Sequence, residues 1–89
     1  MRSQDVKRCF GFALKKWRYR AGITQEELAW RAGLHRTYIA GIERGARNAS
    51  LQTMAKLAKA LKMSLSKLFE PLGDFPPDNV GTTEQNETA

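Results

Sequence analysis

The chain has 89 residues, 42% apolar and 27% charged, which admits one domain with an ordinary core and excludes two independent ones. No run approaches the roughly 18 consecutive apolar residues of a membrane helix, and Met1 to Lys7 lacks the basic-then-apolar order of an export signal, so neither membrane insertion nor export is expected. A single cysteine, Cys9, and a single histidine, His35, permit no internal disulfide and no Cys/His metal site of ordinary spacing, and no cofactor is expected.

The formal net charge is +6, but its distribution says more than its sum. Residues 1 to 69 hold all 15 Lys and Arg against four acids (Asp5, Glu26, Glu27 and Glu43), a net +11, while residues 70 to 89 hold five acids and no base, a net −5. A unit this basic attracts polyanions, with nucleic acid the first partner to consider and an anionic membrane surface the second.

From Gln4 to Arg20 the apolar residues Val6, Phe10, Ala13, Leu14 and Trp17 fall at helical intervals, which predicts an amphipathic first helix ended by Ala21-Gly22. Thr24-Gln25-Glu26-Glu27 has the spacing of a capping box, in which the Thr24 hydroxyl and the Glu27 carboxylate satisfy each other's amide donors. It opens a short second helix with Leu28, Ala29 and Ala32 inward, closed by Gly33. A third runs from His35 to Arg44 with Tyr38, Ile39 and Ile42, and Gly45 ends it.

Ser50 caps a fourth helix whose predicted apolar stripe is Leu51, Met54, Ala55, Leu57, Ala58 and Leu61. Ser64 caps a short fifth, with Leu65, Leu68 and Phe69 inward. Past Pro71, glycines and prolines break the periodicity, so the division is a domain over 1–70 and an acidic tail over 71–89. With no strand pattern and no repeat, the predicted class is all-α, five helices in about 70 residues.

A capped helix, a glycine turn and a second short helix describe a helix-turn-helix. Thr24 to Gly45 resembles the Cro and lambda-repressor (Xre) family of DNA-binding domains almost position for position. The resemblance extends through Phe10-Gly11, Leu14 and Trp17-Arg18, and through Ser50-Leu51, Leu57-Ala58, Leu61 and Leu68-Phe69, covering roughly residues 8 to 70. Leu34 to Ile39, with Glu43-Arg44-Gly45-Ala46-Arg47-Asn48, is most similar to the small controller proteins of restriction-modification operons.

The residues agree with this independently. Ala29 is small where the two helices must cross, Gly33 turns the chain, and Leu28, Ile39 and Ile42 can fill the wedge between them. With Ile39 and Ile42 inward, His35, Arg36, Thr37 and Ala40 face out, and Tyr38 lies near the edge. Arg36 suits two hydrogen bonds to guanine, and Thr37 offers a hydroxyl and a methyl, so these two are the expected base readers.

The resemblance implies that Gln25 binds a phosphate and braces the recognition helix, and that Tyr38, Arg47 and Asn48 touch the backbone or a base edge. His35, Ala40 and Arg44 join them at the groove edge. Ala40 and Gly41 depart from relatives that read bases with long side chains there, which leaves room for DNA shape. It further implies an internal ion pair between Arg18 and Glu43, against the alternative of two unrelated surface charges. The bland alternatives are Arg36, Arg44 and Arg47 as solvated charges and Tyr38 as a packing residue, while His35 is read as a polar group at the helix start in preference to a catalytic base and Cys9 as a small half-buried residue in preference to a redox switch.

The expectation is a sequence-specific regulator of transcription, not an enzyme, since no nucleophile-base pair or phosphate loop is present. One short helix reads few base pairs, so a homodimer on a two-fold-symmetric operator is expected, joined through Leu65, Leu68, Phe69, Leu72 and Phe75. The expected setting is the cytoplasm, on the nucleoid of a prokaryote or phage-like element. The alternative is an antitoxin or other protein-interaction module, with a toxin or RNA polymerase as the partner and DNA binding secondary. The acidic tail is read as solvated, with competition against DNA for the basic surface as its alternative.

Overall fold

The computed structural model describes residues 3–73, with side chains from Val6 onward. The element order is α1 (Ser3–Ala21), α2 (Gln25–Ala32), α3 (Arg36–Glu43), α4 (Leu51–Ala60) and α5 (Leu65–Phe69), then a single 3-10 turn, Glu70–Leu72. The described residues are all-α, as the periodicity predicts, and contain no strand.

Four helices start on a side-chain cap that satisfies an otherwise orphaned amide. Thr24 Oγ1 accepts from Glu27 N, Ser50 Oγ from Thr53 N, Ser64 Oγ from Lys67 N, and the His35 ring from Thr37 N. The capping box at Thr24 is only half made. The Glu27 carboxylate turns forward to Arg31 Nε at 2.9 Å, one helical turn on, instead of reaching back to its cap. At the other end of α2, Gly33 takes φ 71° and Leu34 N donates to Ala29 O at 2.8 Å, which swings the chain toward α3.

Helices of eight residues are too short to persist alone in water, so α2 and α3 depend on what they bury. Leu14, Leu28, Ile39, Ile42, Leu57 and Leu68 are the largest fully enclosed side chains, one from each of α1, α2, α4 and α5 and two from α3. Trp17 lies in the same core, and its indole N–H donates to Leu68 O at 3.1 Å, tying α5 to α1. Phe10 and Phe69 meet edge to face at 5.9 Å between ring centres.

The close approach of α1 to α3 is set by Gly11. A Cβ there would collide with the backbone carbonyl oxygens of Ile42 and Glu43.

The α4 stripe differs from its expectation. Leu51 and Ala55 are exposed, and the buried side is Thr53, Leu57, Ala58 and Ala60 with Leu61 at the helix end. With Leu57 at the centre of that face, Ala55 lies about 160° around the helix and Leu51 about 120°, so neither reaches the core. Val6 is likewise 38% exposed at the start of α1, and Trp30 is 79% exposed on α2.

Candidate nucleic-acid interface

The outer face of the α2–turn–α3 unit gathers the predicted readers. His35, Arg36 and Thr37 are exposed and Ala40 is half-buried, while Ile39, Gly41 and Ile42 hold the opposite side of α3 in the core. The helix itself begins at Arg36 and ends at Glu43, one residue inside the predicted bounds at each end. His35 stands as its cap in extended backbone, and Arg44 closes it.

Arg18 and Glu43 form a buried, two-pronged ion pair. Arg18 Nε donates to Glu43 Oε2 at 2.7 Å and Nη2 to Oε1 at 3.0 Å, with the two side chains only 8% and 3% exposed. Arg18 Nη1 also donates to Ile23 O at 3.0 Å, so the guanidinium spans α1, the α1–α2 loop and α3. The hydrogen bond to Glu43 raises the Arg18 pKa above its ordinary value, with burial opposing it. Gln25 Nε2 completes the cluster by donating to Glu43 Oε1 at 3.0 Å. The brace expected of Gln25 is thus a contact with the last residue of α3, made by one of its two amide protons.

Tyr38 joins α3 to the loop that follows. Its ring packs against the core, its hydroxyl donates to Asn48 O at 3.1 Å, and the Arg47 guanidinium lies 5.8 Å from the ring centre. Asn48 therefore enters this cluster through its main-chain carbonyl, with its side chain exposed. Arg44 and Arg47 are exposed, and neither they nor Arg36 form an ion pair with any described residue.

Two features escaped the sequence reading. Gly41 is not a vacant reading position on the outer face: it is buried, and a Cβ there would strike Arg47 Cγ, so its smallness seats the Arg47 stem. The Gly41 carbonyl also accepts from both Ala46 N and Arg47 N, at 2.9 and 3.2 Å. The second is a contact within the turn. His35 Nδ1 accepts from Thr37 N at 3.2 Å and lies 2.8 Å from Thr37 Oγ1. A histidine two residues before a threonine at a helix start was the available signal.

The predicted dimer residues separate. Leu68 is wholly enclosed in the core, with no exposed surface to offer a partner, so it cannot serve as an interface. Leu65, Phe69 and Leu72 are half-buried, and Phe75 lies outside the described residues. Phe69 and Leu72 line an apolar groove of about 280 Å³ with Val6, Phe10, Ala49 and Met54, and Lys7 and Arg47 also line it.

A family model described as helix-turn-helix matches residues 14–68. The control protein C.BamHI of Bacillus amyloliquefaciens is 38% identical over 86 residues, spanning 96% of this chain and 99% of its own. The crystal structure of the restriction-modification controller protein C.AhdI from Aeromonas hydrophila superposes with a TM-score of 0.71 at 43% identity, covering 73% of this chain and 98% of that one. The chain belongs to the helix-turn-helix family, in its restriction-modification controller branch.

Another controller protein, C.Esp1396I, has been solved as a tetramer in complex with its natural 35 base-pair operator. It matches with a TM-score of 0.71 at 40% identity, over 75% of this chain and 88% of its own. Among the described residues no helix of this controller-type protein is long and apolar enough to cross a membrane.

Proposed function

We propose that this controller-type protein regulates transcription by binding duplex DNA as a homodimer, with α3 of each copy in the major groove of one half-site of a two-fold-symmetric operator. The observation that carries the reading is the exposed, acid-free outer face of α3. Its only carboxylate, Glu43, is consumed internally by Arg18 and Gln25, so the residues left facing out are His35, Arg36, Thr37 and Ala40. A basic surface without exposed carboxylates draws the phosphate backbone, and a helix with arginine and threonine in its first turn can reach base edges.

In this reading Arg36 pairs with a guanine and Thr37 meets a neighbouring base edge. Gln25, His35, Tyr38, Arg44, Arg47 and Asn48 position the protein on phosphates and groove edge, and Ala40 lets the helix lie close. The domain over 1–70 does this work, the 3-10 turn through Leu72 completes its packing, and the acidic residues beyond it take no part in binding. The two copies meet over the groove formed by Phe69 and Leu72. The protein is a cytoplasmic regulator of a prokaryote and performs no catalysis.

The reading is tested by hydroxyl-radical footprinting on the duplex that the protein selects from a random pool. The expected pattern is paired half-sites on one face of the duplex, their centres about 10 to 10.5 base pairs apart. Protection spread evenly along any duplex, and collapsing steeply with salt, contradicts it.

A further inference from the structure

We propose that His35 sets the hydrogen-bonding polarity of Thr37, so that the Thr37 hydroxyl meets DNA as an acceptor and favours an amino base, adenine or cytosine, over a keto base. The proposal rests on the reading of α3 as the groove helix and names what one of its side chains selects.

The polarity follows from the atoms at the start of α3. Thr37 N–H is among the amides that a helix start leaves without an internal partner, and it donates to His35 Nδ1 at 3.2 Å. A backbone amide can only donate, so Nδ1 presents its lone pair and the neutral ring carries its proton on Nε2. Thr37 Oγ1 lies 2.8 Å from the same Nδ1, which has no proton to give. The hydroxyl holds that contact only by donating its own hydrogen.

A free threonine hydroxyl rotates to donate or accept as its partner requires. Here its one hydrogen is committed, and what it offers outward is lone pairs and a methyl. In the major groove the donors that lone pairs can meet are adenine N6–H and cytosine N4–H, whereas guanine O6 and N7 and thymine O4 are acceptors and repel them. His35 is exposed, and its Nε2–H is left as a donor for a phosphate oxygen. The pair thus presents one donor and one acceptor of fixed placement, where two uncoupled side chains would present interchangeable ones.

The tautomer is directly measurable because His35 is the only histidine in the chain. Long-range proton–nitrogen NMR correlation on the labelled full-length protein is expected to show the Nε2-protonated ring. A ring protonated on Nδ1 overturns the proposal without any DNA present.

The second arm uses the duplex that wild type selects from a random pool. The position whose preference disappears in Thr37→Val marks the base that the hydroxyl meets. At that position wild type is expected to favour the amino base over the keto base by about fivefold, the scale of one net hydrogen bond. His35→Gly, a tolerated helix cap, frees the hydroxyl to rotate and should bring the ratio within about twofold.

Comparing two duplexes within each variant cancels any general loss of affinity. An unchanged ratio in His35→Gly or a keto preference in wild type overturns the assignment while the DNA reading stands, and no position sensitive to Thr37→Val overturns it together with the base contact of Thr37. Failure of wild type to select any sequence overturns the DNA reading, and this assignment with it.

Discussion

Glu43 grips Arg18 through both carboxylate oxygens, at 2.7 and 3.0 Å, across the junction of α1 and α3. Because Glu43 is the last residue of α3, this pair fixes the C-terminal end of that helix while His35 caps its N-terminal end. Gln25 adds a third hydrogen bond from the first residue of α2, so both motif helices are referenced to one buried carboxylate.

Breaking that pair strands a guanidinium that is mostly out of water. Glu43→Ala is therefore expected to destabilise the fold by roughly 3 kcal/mol, read from urea or thermal unfolding. A melt superimposing on wild type would mean that the pair behaves as an exposed one. On the Arg18 side the folded pKa is raised, so its contribution is fully present below the ordinary guanidinium range and lost only above it. Stability should accordingly show no loss from this group through neutral and mildly alkaline pH.

The contact between α1 and α3 makes a second stability prediction. Gly11→Ala places a methyl against the carbonyl oxygens of Ile42 and Glu43, backbone atoms that cannot swing aside, and should cost about 3 kcal/mol, the upper end of overpacking penalties. Gly22→Ala meets no neighbour but must adopt φ 71°, and should cost about 1 kcal/mol. Equal penalties in parallel denaturant titrations would show that space at Gly11 is not the constraint.

Much of this was legible in the sequence, and the departures have physical causes. The helix order, the caps at Thr24, Ser50 and Ser64 and the glycine stop at Gly33 depend on local chemistry that a sequence displays directly. The expected Arg18–Glu43 pair is present in the structure. The α4 face differs because apolar spacing favours Leu51 there, whereas the helix turns Thr53 inward and Leu51 outward.

Leu68 departs from the interface expectation because periodicity does not show whether a surplus leucine is covered by a partner or by the core of its own chain. At the site, exposure of His35, Arg36 and Thr37 follows from the helical step alone. The seating of Arg47 on Gly41 and the bond from Thr37 to His35 depend on side-chain placement, which periodicity does not carry.

The enclosed Leu68 and the half-buried Leu72 separate two effects that the sequence merged. Leu68→Ala should destabilise the monomer by about 2 to 5 kcal/mol, as a cavity in a packed core does. Leu72→Glu should leave the fold within about 1 kcal/mol of wild type and weaken self-association in sedimentation equilibrium, by tenfold or more if that groove is the dimer contact. Unchanged association by Leu72→Glu removes the groove from the interface.

A tail that takes no part in DNA binding makes a prediction of its own. Deleting residues 76–89 should change DNA affinity by less than about twofold at moderate salt, since tails of this composition contribute little unless they pack. A gain in affinity that fades as salt rises would show instead that the tail occupies the basic surface.

The central claim, that α3 reads sequence, is tested most directly by selecting binding sites from random duplex DNA at fixed salt with wild type and Arg36→Ala in parallel. The expected result is a two-fold-symmetric motif for wild type and, for Arg36→Ala, the same motif relaxed at one position per half-site, at a cost of about 1 to 3 kcal/mol there. No enriched motif, or one that Arg36→Ala leaves intact at every position, would contradict the account.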